Sequence, residues 1–236
     1  MRLQSDRLVC TLPGGERVRL LPRYRTVTWN PDEYAAFRTE IAPGDVVIDV
    51  GANLGAYTLL FAQWVGATGR VFAFEPAPEA FEGLTSLLAV NGLSSRVTAC
   101  RAAVSSSEGQ VSFLAAGAEG ANRIVGAEWP GDVVMVPATT IDAVCGRNGV
   151  MPRLIKIDAE GAELDVLKGA RGTIAAACGL RLYVEMHPHL WKDFGVTRAD
   201  IEMELARQKL RAERIDGNPA VWAIEGVCLR LVPCGS

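Results

Sequence analysis

A chain of 236 residues is long enough for one large domain or two small ones and can bury a sizeable core. Its 49% hydrophobic and 22% charged residues are ordinary for a folded globular protein and exclude a disordered one. A formal net charge of −3, with Arg23, Arg25 and Arg38 scattered, offers no clustered basic face for nucleic acid.

The six cysteines, Cys10, Cys100, Cys145, Cys178, Cys228 and Cys234, lie far apart with no C-x-x-C pair and no metal-ligand spacing. They are expected to be reduced thiols, several of them buried, with no bridge between Cys228 and Cys234. The opening MRLQSDRLVC lacks the uninterrupted apolar core of a signal peptide, and no stretch approaches a membrane span. A cytoplasmic protein is expected.

In chain order, apolar runs at 7–10 and 18–21 flank Pro13-Gly14-Gly15 and predict a short hairpin. Asn30-Pro31-Asp32-Glu33 has the form of a helix start, with Asn30 as the cap, and that helix should stop at Pro43-Gly44. Residues 1–45 are therefore expected to form an extension to the domain at 46–236. From Val46 the pattern alternates. Strands are predicted at 46–50, 71–74, 97–103, 154–158 and 180–186, with helices over 56–65, 79–91 and 163–177. Two further β-rich runs, 110–114 and 133–137, enclose a glycine-rich stretch at 117–131 that predicts an inserted hairpin or a long loop. Thr140 opens a short helix, and Thr197 caps a charged one with Asp200 at a capping-box position. Runs at 221–224 and 228–231 predict a closing hairpin, which gives the sheet an antiparallel edge. The alternation predicts a doubly wound, mostly parallel α/β sheet of the Rossmann-like kind.

In such sheets ligands collect beyond the carboxyl ends of the strands, near the switch in strand order. Asp49-x-Gly51-x-Asn53-x-Gly55 falls there. So do Glu75, Asp158-Ala159-Glu160-Gly161, and Glu185-Met186-His187-Pro188. Gly51 and Gly55 permit a sharp turn close to a ligand, and the new helix presents free N–H groups to an anion. Glu75, 24 positions beyond Gly51 (75 minus 51), has the place of an acid that accepts from both ribose hydroxyls. The glycine spacing is not the G-x-G-x-x-G of a dinucleotide site, and Asp49 is foreign to one. S-adenosylmethionine suits it better, since its tail offers a carboxylate to the helix N-terminus and an ammonium to nearby acids.

The stretches Ile48-Asp49-Val50-Gly51-Ala52-Asn53-Leu54-Gly55-Ala56-Tyr57-Thr58, Phe74-Glu75-Pro76, Thr140-Ile141-Asp142 and Leu154-Ile155-Lys156-Ile157-Asp158-Ala159-Glu160-Gly161-Ala162-Glu163 resemble the FkbM family of S-adenosylmethionine-dependent methyltransferases. The resemblance covers roughly 30–190 and is most specific from Lys156 through Val166-Leu167-Lys168-Gly169-Ala170. It implies the class I methyltransferase fold and O-methylation of hydroxyls on sugars, macrolides and other secondary metabolites, with S-adenosylhomocysteine as the spent cofactor.

Asp49, Gly51, Asn53, Gly55, Tyr57, Glu75, Ala102, Ala103 and Asp158 are the expected cofactor contacts. Asp49 should order the turn or neighbour the ammonium, and Ala102 and Ala103 leave room for adenine. Asp158 is placed to meet the ammonium, the acceptor hydroxyl or the following helix as its cap. Glu160 is expected on a different face, lining the acceptor pocket. Glu163 is accounted for by the helix dipole, and Lys156, inside an apolar strand, by an ion pair with a neighbouring acid. His187, with its pKa near neutrality, is the expected base, oriented or charge-balanced by Glu185, while His189 is exposed or secondary. Asp142, Asp158, Glu160 and Glu185 are oxygen donors that could hold Mg²⁺; their spacing neither supports nor excludes it, and a metal is not the favoured reading. A small hydroxylated molecule is the expected partner, with neither nucleic acid nor membrane, and a homodimer is compatible with the sequence. The rival functions are a nicotinamide-dependent oxidoreductase and a catalytically silent cofactor-binding domain.

Overall fold

The computed structural model describes every residue except 1, 5–6, 115–121, 126–132, 223–225 and 235–236. Three strands open the chain, β1 (Arg2–Gln4), β2 (Arg7–Thr11) and β3 (Arg17–Leu20), where the sequence predicts only the last two. Helix α1 (Pro31–Glu40) begins as expected, with Asn30 Oδ1 accepting from the amides of Asp32 and Glu33. The central elements follow: β4 (Val46–Val50), α2 (Ala56–Trp64), β5 (Arg70–Phe74), α3 (Pro78–Asn91) and β6 (Val97–Cys100). An inserted small sheet comes next, built of β7 (Ala103–Val104), β8 (Gly109–Leu114), β9 (Arg123–Ile124) and β10 (Val134–Thr139). The chain then returns through α4 (Ile141–Asn148), β11 (Leu154–Asp158), α5 (Glu163–Lys168), α6 (Arg171–Ala176), β12 (Arg181–Met186), α7 (Pro188–Trp191), α8 (Arg198–Arg207), β13 (Leu210–Arg214) and β14 (Val227–Pro233).

The main sheet has seven strands in the order β13-β14-β12-β11-β4-β5-β6. All neighbours from β12 to β6 are parallel, and β14 is antiparallel to both β12 and β13. The strand order turns back between β4 and β11, and a ligand site is expected at their carboxyl ends. Strand β4 owes its place to Val47, Ile48 and Val50, each at most 3% exposed; burying such a side chain contributes about 1.5–3 kcal/mol.

Three predicted elements are corrected. The run 97–103 is two strands, because the chain leaves the main sheet after Cys100 and pairs Ala103 and Val104 with β10 in the small one. The run 163–177 is two helices, broken where Gly169 passes so close to the Ser105 carbonyl that a Cβ would lie 2.1 Å from it. The partner of β14 is Leu210–Arg214, and not the run at 221–224, of which Val221 and Trp222 form a turn and 223–224 lie outside the described residues. The antiparallel strand therefore sits inside the sheet, with β13 at the edge. Of the stretch 117–131, only 122–125 are described, and they contribute β9. No helix among the described residues is long and apolar enough to cross a membrane.

The N-terminal extension shares a core with the main domain. Val18, Leu20, Tyr24, Phe37 and Ile41 belong to the same apolar cluster as Val47, Leu60 and Phe61. Its polar anchor is Glu16, 8% exposed, which accepts from Tyr34 Oη (2.6 Å) and Trp64 Nε1 (2.8 Å) and lies 3.4 Å from Arg38 Nε. Burial alone would raise its pKa, but these partners outweigh burial and hold it below the ordinary value. Glu16→Ala strands two buried donors and should cost about 2 kcal/mol, visible as a lower Tm. Because the folded-state pKa is depressed, that stabilisation is complete above the unfolded value and lost as pH falls through the folded one. The Tm gap between wild type and variant should accordingly close in acid.

Candidate active site

Side chains alternate across a strand, and register fixes which alternates meet. Asp49 pairs with Lys156 across β4 and β11, and Asp158 with Glu185 across β11 and β12. Lys156 and Asp158 are two apart, as are Glu185 and His187, so all five lie on one face in a single polar row. The intervening residues, Ile48, Val50, Ile155, Ile157, Val184 and Met186, pack into the apolar cluster on the other face.

At the first end of the row, Asp49 is 1% exposed and accepts from Thr58 Oγ1 at 2.5 Å through Oδ2. Its Oδ1 is buried without a hydrogen-bond partner among the described residues. Burial raises its pKa against the opposing pull of Lys156 and Thr58. Lys156 Nζ lies 3.2 Å from Asp158 Oδ2 and 5.5 Å from the centre of the Tyr57 ring. Burial disfavours its charge, but Asp158, Asp49 and Glu185 more than compensate, so its pKa is raised and it stays a cation. The ion pair expected of Lys156 is therefore present. Tyr57 stacks on Phe61 and meets Phe37 edge-on, and its hydroxyl accepts from the Asn30 amide at 3.1 Å. It packs the extension against α2 and also lines a cavity of about 460 Å³ with Asp49, Lys156, Asp158 and residues 26–28.

A second cleft shares Gly51, Asn53 and Asp158 with that cavity in its lining. It is lined by Glu75, Ala102 and Ala103, as expected, and also by Phe113 and Arg123 of the inserted sheet, which the sequence does not single out. Arg123 also lies 3.5 Å from Asp193, tying that sheet to the segment after β12. Glu75, 5% exposed, accepts from Asn53 N–H through Oε2 and from Ala77 N–H through Oε1, both at 2.8 Å. Burial pushes its pKa up to about 7 despite these two bonds. Each oxygen keeps a free lone pair for a further donor.

The two glycines are also required by the packing of the protein itself. Gly51 has φ +74°, and a Cβ there would lie 1.8 Å from the Asp158 carbonyl oxygen; Gly55 has φ +89°, and its Cβ would meet Leu84 Cδ1 at 2.6 Å. The first glycine lets two strand ends touch and the second lets α3 pack against the turn. Neither distance concerns a ligand. Among the described residues three non-glycines have positive φ, and two of them, Asn53 (+49°) and Glu160 (+46°), flank this site. Such backbone is costly and collects at functional sites.

At the far end of the row His187, 6% exposed, is oriented by Glu163 and not by Glu185. Its Nδ1 lies 2.9 Å from Glu163 Oε1, whereas Glu185 Oε1 is 3.7 Å from Nε2. Glu163 is fully buried and accepts from Gly161 N–H and from Trp191 Nε1 at 2.8 Å each. With every other contact a donor to Glu163, Nδ1 carries the hydrogen and Nε2 faces the site. The helix dipole is therefore a minor part of what Glu163 does. Around Nε2 stand Glu185 at 3.7 Å, Glu160 at 3.8 Å and Asp158 at 3.9 Å. Glu160 thus joins the others instead of facing away. Burial works against a charge on His187, but Glu163, Glu160 and Asp158 raise its pKa to about 9. Burial and Asp158 raise Glu185 to about 7, and burial raises Glu160. Helix α5 has no side-chain cap, so Asp158 is not its cap. Asp142 lies apart, accepting from the amides of Gly172 and Thr173 at the start of α6. His189 is exposed.

The profile of the methyltransferase FkbM domain matches residues 49–212. The chain is 28% identical over 193 residues to the hexuronic acid methyltransferase AglP of Haloferax volcanii, across 81% of this chain and 74% of that one. It is 36% identical over 100 residues to the 31-O-demethyl-FK506 methyltransferase FkbM of Streptomyces tacrolimicus, across 42% and 36% of the two chains. Among solved structures it is similar to an FkbM methyltransferase from Methylobacillus flagellatus, with a TM-score of 0.59 and 21% identity over 89% of this chain and half of that one. It is also similar to an S-adenosylmethionine-dependent O-methyltransferase from Thermotoga maritima, with a TM-score of 0.51 and 15% identity over 97% and 78% of the two chains. With a class I methyltransferase sheet and a family match over most of its length, the chain belongs to the FkbM family of methyltransferases.

Proposed function

We propose that the protein is an S-adenosylmethionine-dependent O-methyltransferase that modifies a hydroxyl of a small polyhydroxylated molecule, a sugar or a glycosylated or polyketide-type metabolite. The observation that carries this is Asp49 Oδ1, buried without a hydrogen-bond partner among the described residues beside a cavity that shares Gly51, Asn53 and Asp158 with the cleft lined by Glu75. A buried carboxylate oxygen without a donor is costly, and an ammonium at that position would satisfy it. The residues present fit the cofactor: Asp49 and Asp158 for the ammonium, Lys156 for the tail carboxylate, Glu75 for the ribose hydroxyls, and Ala102 and Ala103 against the adenine. The cofactor supplies a methyl group already activated on a sulfonium, so the protein's work is chiefly to position the acceptor.

The acceptor hydroxyl belongs at Asp158, Glu185 and His187, where carboxylates can receive its neighbouring hydroxyls and its proton must be removed. His187 is not a free base by itself. With a pKa near 9 it is already protonated at neutral pH, so something must take the place of that proton before Nε2 can act. The acceptor class rests on the relatives, one named for hexuronic acid and one for a demethylated FK506, and on the acid-lined rim that suits a polyol.

Calorimetry should find S-adenosylhomocysteine binding one to one and NAD not binding. Asp49→Asn and Glu75→Gln should each weaken that binding at least tenfold. Because Glu75 titrates near 7 and must be ionised to accept from both ribose hydroxyls, affinity should fall between about pH 8 and about pH 6. Methyl release from glycosides and hydroxylated metabolites distinguishes the enzyme from a silent module: binding with no release from any acceptor would favour the latter. Glu163→Gln should lower the His187 pKa from about 9 by at least one unit, read by NMR titration of the imidazole, since the burial that opposes its charge remains while the main anion is gone.

A further inference from the structure

We infer that Asp158, Glu185 and His187 form a seat for one divalent metal ion, placed to hold the acceptor's oxygen. The role assigned to the ion rests on the methyl-transfer function proposed above; its binding does not.

The seat follows from register. Asp158 and Glu185 are cross-strand partners, so their carboxylates stand side by side, and His187 follows two residues later on the same face. One donor atom from each of the three residues lies within 4.8 Å of the others. From Nε2 the two oxygens are 3.9 and 3.7 Å away. Ligands bound at about 2.1 Å to a common ion are themselves roughly 3–4 Å apart, so closure on an ion needs only small side-chain adjustments.

The individual donors are prepared in a way that simple charge crowding does not explain. Lys156 occupies Asp158 through Oδ2 and leaves Oδ1 facing His187. The His187 side chain is 8% exposed, its Nδ1 is committed to Glu163, and its Nε2 lies 3.7–3.9 Å from three acids, beyond hydrogen-bond distance of each. A carboxylate behind the far nitrogen is what fixes the orientation of a metal-binding histidine, and Glu163 is itself immobilised by Gly161 and Trp191. Glu160, 3.8 Å from Nε2 and partly exposed, completes one side.

Two oxygens and one imidazole suit Mn²⁺ better than Ca²⁺ or Mg²⁺, which favour oxygen alone, and three protein ligands leave positions open for a substrate oxygen. An ion on Nε2 takes the place that a proton otherwise holds. It lowers the pKa of a bound hydroxyl, whose proton passes to the Glu160 carboxylate and then to water. The oxygen then forms its bond to the methyl carbon as the carbon–sulfur bond breaks and its electron pair returns to sulfur.

Loss of the free Mn²⁺ electron paramagnetic resonance signal, measured on the cofactor-free full chain freed of metal by a chelator, tests the seat. One site per chain is expected, weakened at least tenfold in Glu185→Gln and in His187→Gln, and unchanged in Glu202→Gln on exposed α8. Binding of S-adenosylhomocysteine by each variant verifies that it is folded and that the cofactor site stands independently. No saturable Mn²⁺ site in wild type, or a site indifferent to Glu185→Gln in a variant that still binds S-adenosylhomocysteine, would overturn the inference while leaving the cofactor site intact. Failure of wild type to bind S-adenosylhomocysteine would count against the methyl-transfer function instead.

Discussion

The contact on which the site depends is the one between Gly51 and the Asp158 carbonyl. A Cβ at Gly51 would sit 1.8 Å from that oxygen, and the residue's φ of +74° is one that other residues rarely adopt. Bare backbone here lets β4 turn aside immediately beside the end of β11. The turn carries Asn53 toward Glu75, where the Asn53 amide bonds the carboxylate, and keeps Asp158 at the meeting point of the two cavities. The two clefts are thereby held in one fixed relation by main-chain packing.

The polar row Asp49, Lys156, Asp158, Glu185 and His187 is the energetic exception in this sheet. The opposite face is closely packed aliphatic core, which contributes stability without specificity. The row instead places charges where water is scarce, and the unliganded protein balances them imperfectly. Lys156 answers one oxygen of one acid, Glu163 answers one nitrogen of the histidine, and Asp49 Oδ1 is left without a donor. Such imbalance is what a site built for positively charged ligands looks like before they arrive. Glu75 and Glu185 have pKa values raised to about 7, since burial, helped by the nearby Asp158, favours the neutral acid and at Glu185 outweighs the opposing pull of Lys156 and His187.

Much of this was legible in the sequence because it is written in local pattern. The apolar runs of β4 and β11, the Asn30 cap and the Thr197 capping box specify their own structure within a few residues. Glu75, Asp49 and Asp158 could be placed because strand ends in a parallel sheet share one rim. What could not be read depends on contacts between distant segments. Glu163 looked like a helix-dipole acid, and only the packing of α7 on α5 brings Trp191 and His187 to it. Gly51 and Gly55 are required by Asp158 and Leu84, partners that no turn motif names. The strand Leu210–Arg214 carries alternating charge and only modest hydrophobicity, so the stronger β pattern at 221–224 drew the hairpin to the wrong place. Glu160 escaped for a backbone reason: its positive φ redirects the side chain toward His187.

The central claim is that Asp49 and Glu75 are the two ends of one cofactor cradle. A crystal structure of the protein grown with S-adenosylhomocysteine tests it most directly. The account predicts the amino group of the ligand within about 3 Å of Asp49 Oδ1 and both ribose hydroxyls on the Glu75 carboxylate. A ligand whose ribose avoids Glu75, or one that leaves Asp49 Oδ1 still without a donor, would contradict it.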